Sequence, residues 1–292
     1  MDNISTLKRI CNSLTSKTGY TPVVATEIEF YLEDAAGINI EEIFKQCYRK
    51  FGSAGVITYS FEKEAADGQF EISTLPLPDP VVTANNTVII KEIIASTFAE
   101  AGAKASFLPK PYDNKPGSGL HIHVNLLDSS GHNIFQKEYV QSNEESEILK
   151  QAVAGLCETM NESMIFFAPN EDSYKRYTAK HEEGEEYNNA PVNVSWGGNN
   201  RTTAIRIPTS TLHPDKRHLE HRVAGADADP YAVIAAILAG IDYGISNKLE
   251  LKNDKIWGNA FDKQYNLAPL PRTLDEAKAS FENGKIIKKY FL

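Results

Sequence analysis

The chain has 292 residues, of which 41% are hydrophobic and 24% are charged, as expected for a globular protein with a large core. Its formal net charge of −9 argues against a general nucleic-acid binder, which would present a basic surface. Three widely spaced cysteines in no CxxC pattern, and an N-terminus without the apolar region of a signal peptide, favour a cytoplasmic protein.

Helices and strands intermix along the chain without a regular βαβ rhythm. Helices are predicted over residues 4–18, 40–51, 80–102, 143–168 and 230–247, and another begins after Thr273, with Glu276 three residues on as in a capping box. The apolar run at 231–245 contains Asp242 and is too short for a membrane span, so it predicts a buried helix. We expect an α+β fold with a mainly antiparallel sheet, in a single domain over 1–292 with a lead-in helix within 1–20.

The strand predicted within PGSGLHIHVNLL, residues 116–127, alternates polar and apolar residues. Because side chains of a strand point to opposite faces in turn, His121, His123 and Asn125 share one face, opposite three apolar residues. Taken alone, this pattern fits either a half-exposed surface strand or a strand that borders a polar cleft.

Three more strand-like segments carry polar residues two positions apart. The pairs are Glu27 with Glu29, Gln69 with Glu71, and Glu220 with Arg222, and Glu64 precedes the turn that leads to Gln69. Carboxylates are disfavoured in strands and are rarely buried without partners. Four such segments predict one sheet whose polar face lines a site.

The acidic and imidazole residues of this face form a set dominated by oxygen donors. The candidate metal ligands are Glu27, Glu29, Glu64, Glu71, His121 and Glu220. Such a set suits Mg²⁺ or Mn²⁺ better than zinc, and six ligands are too many for one catalytic ion, which indicates two or more. Without cations, this many carboxylates would repel one another and some would stay protonated.

Arginines are concentrated in the second half of the chain. Five of the eight fall between residues 176 and 222, namely Arg176, Arg201, Arg206, Arg217 and Arg222. Arginine binds carboxylate and phosphate in a bidentate manner, so the cluster beside a metal site favours phosphoryl transfer. The alternative is a set of structural ion pairs between these arginines and the glutamates.

Three familiar motifs are absent from the sequence or incomplete in it. No GxxxxGK[ST] loop occurs, nor a GxGxxG that opens a helix, so any nucleotide is bound by another architecture. HEEGE at residues 181–185 lacks the second histidine of a zinc-protease HExxH motif.

Six motifs in sequence order resemble the catalytic domain of the glutamine synthetase family, over roughly residues 20–275. They are the ExE strand (Glu27, Glu29), E-x3-GQ-x-E (Glu64 to Glu71), GSG-x-HxH (Gly117 to His123), SYKR (173–176), NR-x4-RIP (200–208) and E-x-R followed by DPY (220–231). PGSGLHIH and WGGNNRT are more similar to the γ-glutamyl-amine and γ-glutamyl-polyamine ligases of the family than to its ammonia-assimilating members. The resemblance implies a curved, mainly antiparallel sheet flanked by helices.

The resemblance also implies a role for each position. One ion would be held by Glu29, Glu64 and Glu71, and a second by Glu27, His121 and Glu220. The glutamate substrate would be held by Gly117, Arg176, Arg201 and Arg222, and the nucleotide by His123, Asn125, Arg201 and Arg206. Arg201 and Arg206 would be the catalytic residues at the transferring phosphate. The implied reaction uses ATP to activate L-glutamate as γ-glutamyl phosphate, which ammonia or a primary amine attacks.

The sequence departs from the family in three places. Too few residues precede Glu27 for the usual N-terminal domain, which completes a neighbouring subunit's site, and the C-terminal region 267–292 is short. The flap sequence GYEAP is replaced by YNNAP, which puts Asn189 where the family has a carboxylate, although Glu185 or Glu186 could substitute. Because Asn189 cannot ionise to take a proton from ammonium, an organic amine stands beside ammonia as the nucleophile.

Two other hypotheses remain open at this stage. The first is a truncated, weakly active or inactive family member that binds glutamate or nucleotide, acting as a regulator or as one chain of a two-chain enzyme. Its partner would be a second copy or a chain that supplies the missing domain. The second is a metal-dependent hydrolase that uses His121 and His123 as a metal pair, which the spacing of the other histidines does not support.

Overall fold

The computed structural model describes residues 2–136, 145–177, 190–210 and 212–292. The helices are α1 (Asn3–Thr18), α2 (Ile40–Ser53), α3 (Pro80–Glu100), α4 (Glu147–Phe167), α5 (Pro230–Ser246), α6 (Leu274–Asn283) and α7 (Ile287–Phe291). The strands are β1 (Thr21–Glu33), β2 (Thr58–Lys63), β3 (Gln69–Thr74), β4 (Lys104–Ser106), β5 (Leu120–Leu127), β6 (Trp196–Gly197), β7 (Ile205–Arg206), β8 (Leu219–His221) and β9 (Lys255–Ile256). Short 3₁₀ helices cover Glu171–Arg176, Pro214–Lys216 and Lys263–Tyr265.

Helices α1 to α6 each begin at a polar side chain that accepts hydrogen bonds from the backbone N–H groups of the first turn. The capping residues are Asp2, Asn39, Asp79, Ser146, Asp229 and Thr273. The predicted helices are confirmed with small shifts at their ends, and α4 begins at Glu147 rather than at 143. The predicted cap at Thr273 is also confirmed, because its hydroxyl accepts the N–H of Glu276 at 3.2 Å.

The strands form one sheet in the order β2-β3-β1-β5-β8-β7-β6-β9, with β4 also paired to β1. Within the described ranges, neighbouring strands run antiparallel except that β6 is parallel to both β7 and β9. The prediction of an α+β fold with a mainly antiparallel sheet is therefore confirmed. The family-like segments meet at the centre of this sheet, on β3, β1, β5 and β8.

The two faces of the sheet carry different kinds of side chain, apolar on one and polar on the other. On β1 and β5 the fully buried positions alternate with partly buried ones, as in Val24, Ile28, Ile122 and Val124 against their neighbours. The apolar face packs on helices, with α3 lying on β1 and α5 lying against α1 and α4. Helix α5 is buried along most of its length, as predicted. None of the described helices combines the length and the apolar character that crossing a membrane requires.

Candidate active site

Strand register brings the predicted metal ligands together on the polar face. Glu27 of β1 lies directly opposite His121 of β5, and Glu29 lies opposite Glu71 of β3. On the other side of β5, His123 lies opposite Glu220 of β8. Directly opposed residues of antiparallel strands point to the same face, so these side chains converge.

His121 lies at the centre of the converging side chains and is buried. Its Nδ1 is 3.4 Å from a carboxylate oxygen of Glu27 and 3.6 Å from one of Glu220, and its Nε2 is 3.8 Å from Glu29. Two groups of three side chains have ligand atoms within 4.8 Å of one another: Glu27, His121 and Glu220, and Glu29, Glu71 and His121. Glu27, His121 and Glu220 are the three residues that were predicted to hold the second ion.

Glu64 lies at the edge of this arrangement, just beyond the end of β2. It belongs to neither group of three, but it is close enough to Glu29 for the two charges to interact. Burial, together with the charge of Glu29, raises the pKa of Glu64. The predicted trio of Glu29, Glu64 and Glu71 is therefore only partly assembled, because its ligand atoms do not all lie within 4.8 Å of one another.

The carboxylates of the polar face experience opposite electrostatic environments. Burial, followed by the neighbouring charges of Glu27 and Glu29, raises the pKa of Glu71 to about 10. Burial alone would also raise the pKa of Glu27, but His123 and His121 outweigh it and hold that pKa well below its usual range. Glu71 thus retains its proton at neutral pH, because burial and the charges of the neighbouring carboxylates both disfavour its ionised form.

Glu220 is completely buried and forms ion pairs with two arginines. Arg206 Nη1 lies 2.5 Å from one carboxylate oxygen, and Arg222 Nη1 donates to the other. Burial would raise the pKa of Glu220, but Arg222 and the nearby histidines and Arg206 lower it to about 2. Asn199 fixes the other side of Arg206, because its Oδ1 accepts from Nε at 2.9 Å and from Nη2 at 2.6 Å.

The other arginines of the cluster are placed differently. Arg176 is buried and donates from Nη1 to the carbonyl oxygen of Val223 at 2.9 Å. Arg201 is exposed, and its charge reaches Glu64. Arg217 instead pairs with the buried Glu145, so for this arginine the interpretation as a structural ion pair holds.

The glycine segment before β5 lies against Arg176 and His121. A Cβ atom at Gly117 would come within 2.8 Å of Arg176 Cγ, and one at Gly119 within 2.7 Å of His121 Nε2. Both positions therefore require glycine, because any side chain would collide with a predicted site residue. The N–H of Gly119 also donates to Glu29 at 2.6 Å, which ties the segment to the ExE strand.

Two side chains of the polar face donate hydrogen bonds to the backbone of this glycine segment. Tyr31, in register with Glu27 and Glu29 on β1, donates its hydroxyl to the carbonyl of Pro116 at 2.9 Å. Gln69 donates from Nε2 to the carbonyl of Gly117 at 3.1 Å. The sequence pattern placed Gln69 on the polar face but did not single out Tyr31, although the period-two alternation that selects the two glutamates also selects it.

Two of the predicted nucleotide residues, His123 and Asn125, lie further along β5. His123 Nε2 is 2.9 Å from Glu27, and its ring lies 5.1 Å from that of His218. Burial, together with the charge of His123, lowers the pKa of His218 to about 4. Asn125 follows on the same strand and is partly exposed. No sequence pattern identified His218 or Asn199, because both lie in irregular segments whose paths the sequence does not reveal.

Comparison with known proteins identifies the same family as the sequence motifs. Residues 35–292 match the family described as the glutamine synthetase catalytic domain. The chain belongs to this family. The matched region begins after β1, whereas the sequence motifs that suggested the family include Glu27 and Glu29 on that strand.

Curated relatives in the family differ in the amine that their names specify. The chain is 32% identical to the gamma-glutamylputrescine synthetase of Escherichia coli K12, over 97% of this chain and 63% of that protein. It is also 32% identical to a glutamate–isopropylamine ligase of a Pseudomonas species, over 94% of this chain and 63% of the relative. A glutamine synthetase of Pyrococcus woesei is 29% identical, over 97% of this chain and 66% of its own. The chain thus spans about two thirds of the length of these relatives.

A solved structure supports the fold. The complex of GmaS with ADP superposes with a TM-score of 0.86 at 22% identity, over 99% of this chain and 70% of that one. The sheet and its flanking helices therefore have the arrangement found in that protein. The flap positions Asn189, Glu185 and Glu186, and the HEEGE segment at 181–185, lie outside the described residues.

Proposed function

We propose that this protein is an ATP-dependent ligase that joins the γ-carboxyl group of L-glutamate to ammonia or a primary amine, through γ-glutamyl phosphate. The observation that carries the proposal is the convergence of five predicted metal ligands beside Arg206 and the glycine segment. They are Glu27, Glu29, Glu71, His121 and Glu220. Membership of the glutamine synthetase family, and relatives named as glutamate–amine ligases, support the same reaction.

The donor set fits divalent cations that prefer oxygen. Carboxylates dominate it, and burial together with the charges of the neighbouring glutamates raises the pKa of Glu71, as expected where carboxylates are concentrated. Bound Mg²⁺ or Mn²⁺ would polarise phosphate oxygens and neutralise charge at the transferring group. We assign Glu27, His121 and Glu220 to one ion.

The second ion requires a donor other than His121. A neutral imidazole offers one lone pair, so His121 can ligate one ion while its other ring nitrogen carries a proton. Glu29 and Glu71 then need a third ligand. Glu64 is the carboxylate whose charge already interacts with Glu29, and we assign it to this ion.

The substrate glutamate would be bound between the glycine segment and two buried arginines. Arg222 is buried and its Nε lacks a hydrogen-bond partner in the described part of the chain, so it can donate to a substrate carboxylate. Arg176 lies directly beneath Gly117 and Gly119, where a Cβ would displace it. The glycine residues therefore allow the backbone of this segment to lie directly against the Arg176 side chain.

Arg201 and Arg206 are the groups that we assign to the transferring phosphate. Arg206 is held by Glu220 on one side and by Asn199 on the other, so its guanidinium group is already oriented before substrate binds. Arg201 is exposed on the loop that leads into β7, which leaves it accessible to ATP. Positioned cations of this kind stabilise the charge that develops during phosphoryl transfer. His123 and Asn125, next along the same face, would hold the nucleotide.

The test is phosphate release from ATP in the presence of L-glutamate and Mg²⁺ or Mn²⁺, with one amine added at a time. The panel is ammonium, methylamine, isopropylamine, ethanolamine and putrescine, and the γ-glutamyl amide is identified by mass spectrometry. We expect phosphate release that requires glutamate, a metal ion and one class of amine. The Glu29→Gln variant should lose this activity, whereas Glu33→Gln on the same strand, which pairs with the exposed Lys104, should retain it.

Phosphate release without amide formation would contradict the ligase assignment. Saturable binding of ATP and glutamate without turnover would instead support the regulatory or two-chain alternative. Release that does not depend on glutamate would exclude this substrate altogether.

A further inference from the structure

A cavity of about 450 Å³ lies between helices α1, α5 and α7, and its lining shares no residue with the polar face of the sheet. Four of the lining side chains are cationic: Arg9, Lys17, Lys285 and Lys289. Ser13, Tyr243 and Tyr290 add polar groups to the same wall. The volume falls within the range of small-molecule sites, and the lining is basic in a chain whose net charge is −9.

Asp242 fixes the walls of this cavity. This carboxylate is fully buried in α5 and accepts hydrogen bonds from Lys17 Nζ at 2.7 Å, Tyr290 hydroxyl at 2.7 Å and Ser246 hydroxyl at 2.9 Å. Side chains from α1 and α7 are thereby joined to α5 around one buried charge. The positive charge of Lys17 is neutralised by this contact, but those of the other three cations are not.

The remaining cations have no acidic partner in the described ranges. Arg9 donates to an uncharged group, the carbonyl of Tyr290, at 2.6 Å. Lys285 and Lys289 form no ion pair with a described acidic side chain. One further acid is nearby, because Glu162 accepts the backbone N–H groups at the start of α7, including that of Lys285 at 3.0 Å. Four cations against these two carboxylates leave two positive charges at a concave site.

We infer that this cavity binds a small anion that carries at least two negative charges. Arginine and lysine are the preferred partners of phosphate and carboxylate oxygens, and a dianion would neutralise the two excess charges. Phosphate esters and small dicarboxylates or tricarboxylates share this chemistry. The cavity is separate from the site assigned to ATP and glutamate, so its ligand is a further one.

Calorimetric titration of the full chain with pyrophosphate, and separately with citrate, tests this inference in buffer containing EDTA. The cavity variant is Lys285→Ala with Lys289→Ala. The control is Lys8→Ala with Lys288→Ala, which removes the same charge from α1 and α7 at positions that do not line the cavity. Circular dichroism establishes that both variants are folded. We expect saturable binding by the wild type and the control, and binding at least about tenfold weaker in the cavity variant, because two charged hydrogen bonds are lost.

A third variant separates this cavity from the proposed nucleotide site. Arg206→Ala should retain the binding in full if the anion occupies the cavity between the helices. Binding that disappears in Arg206→Ala would place the anion on the polar face and overturn the inference. Equal weakening in the two double-lysine variants, or no saturable binding of either anion by the wild type, would also overturn it. The preferred probe shows whether phosphate or carboxylate groups are recognised.

Discussion

Carboxylates in two regions of the molecule lie in opposite electrostatic environments. Asp242 lies in the apolar helix α5 and accepts one hydrogen bond each from Lys17, Tyr290 and Ser246. Glu71 lies on the polar face of the sheet, where burial and the charges of neighbouring carboxylates raise its pKa to about 10. Asp242 thus has hydrogen-bond donors of its own, whereas Glu71 has other carboxylates as neighbours.

The difference distinguishes a carboxylate with a structural role, Asp242, from one with a proposed functional role, Glu71. A buried charge is tolerated when hydrogen bonds and an opposite charge satisfy it, and is costly otherwise. Asp242 therefore stabilises the contact between α1, α5 and α7. Glu71 lies where burial and like charges disfavour its ionised form, and this cost is understandable if divalent cations supply the missing positive charge.

Replacing Glu71 by glutamine should reduce turnover by about 10³-fold, because the variant loses one metal ligand and with it several kcal/mol of transition-state stabilisation. Phosphate release under saturating Mg²⁺ measures the effect. Glu33→Gln, which makes the same chemical change on β1, should leave turnover unchanged. Full activity in Glu71→Gln would show that this carboxylate is not a ligand.

Replacing Arg201 by alanine should lower kcat by roughly 10²-fold, the scale for loss of one positioned donor at a transition state. Arg217→Ala is the matched control, because Arg217 pairs with Glu145 instead of pointing to the polar face. Steady-state kinetics distinguishes the roles. An increase in KM at constant kcat would mean that Arg201 binds the ground state only.

Replacing Asp242 by asparagine should lower the free energy of unfolding by about 1–3 kcal/mol, because the charged acceptor of three hydrogen bonds is lost. Under the same conditions near neutral pH, with EDTA present, Glu71→Gln should leave the stability nearly unchanged, because the raised pKa of Glu71 keeps its carboxyl group protonated and the variant exchanges one neutral group for another. Urea denaturation followed by circular dichroism measures both variants. A large loss of stability in Glu71→Gln would contradict the proposed contrast between the two regions.

Metal affinity should increase with pH, by up to about tenfold per pH unit between about pH 6 and 8. The sign follows from the raised pKa of Glu71: its carboxyl group is protonated in this range, and the ion must displace that proton. Mn²⁺ titrations at several pH values give the slope. Affinity that is independent of pH would mean that Glu71 is already ionised before metal binds.

The sequence was sufficient to predict the polar face but not its internal geometry. Period-two alternation selected Glu27, Glu29, His121 and His123 correctly, because strands expose alternate residues to one side whatever their register. Register itself decides that Glu29 lies opposite Glu71, and it depends on how distant strands pair. Nothing in the local sequence predicts it.

Contacts that depend on irregular segments were not predictable either. Asn199 orients Arg206 across a loop, and Arg217 finds its partner Glu145 far along the chain. The same limit applies to Glu64, whose distance from Glu29 depends on the turn after β2. For these residues the charge and position in the sequence were visible, but the partner was determined by tertiary packing.

The central claim is that the carboxylates of the polar face form a site for divalent cations, and counting bound Mn²⁺ by electron paramagnetic resonance tests it most directly. We expect two ions for each wild-type chain, two for Glu33→Gln and one fewer for Glu71→Gln. Absence of saturable Mn²⁺ binding by the wild type, or the same number of ions in Glu71→Gln as in the wild type, would contradict it.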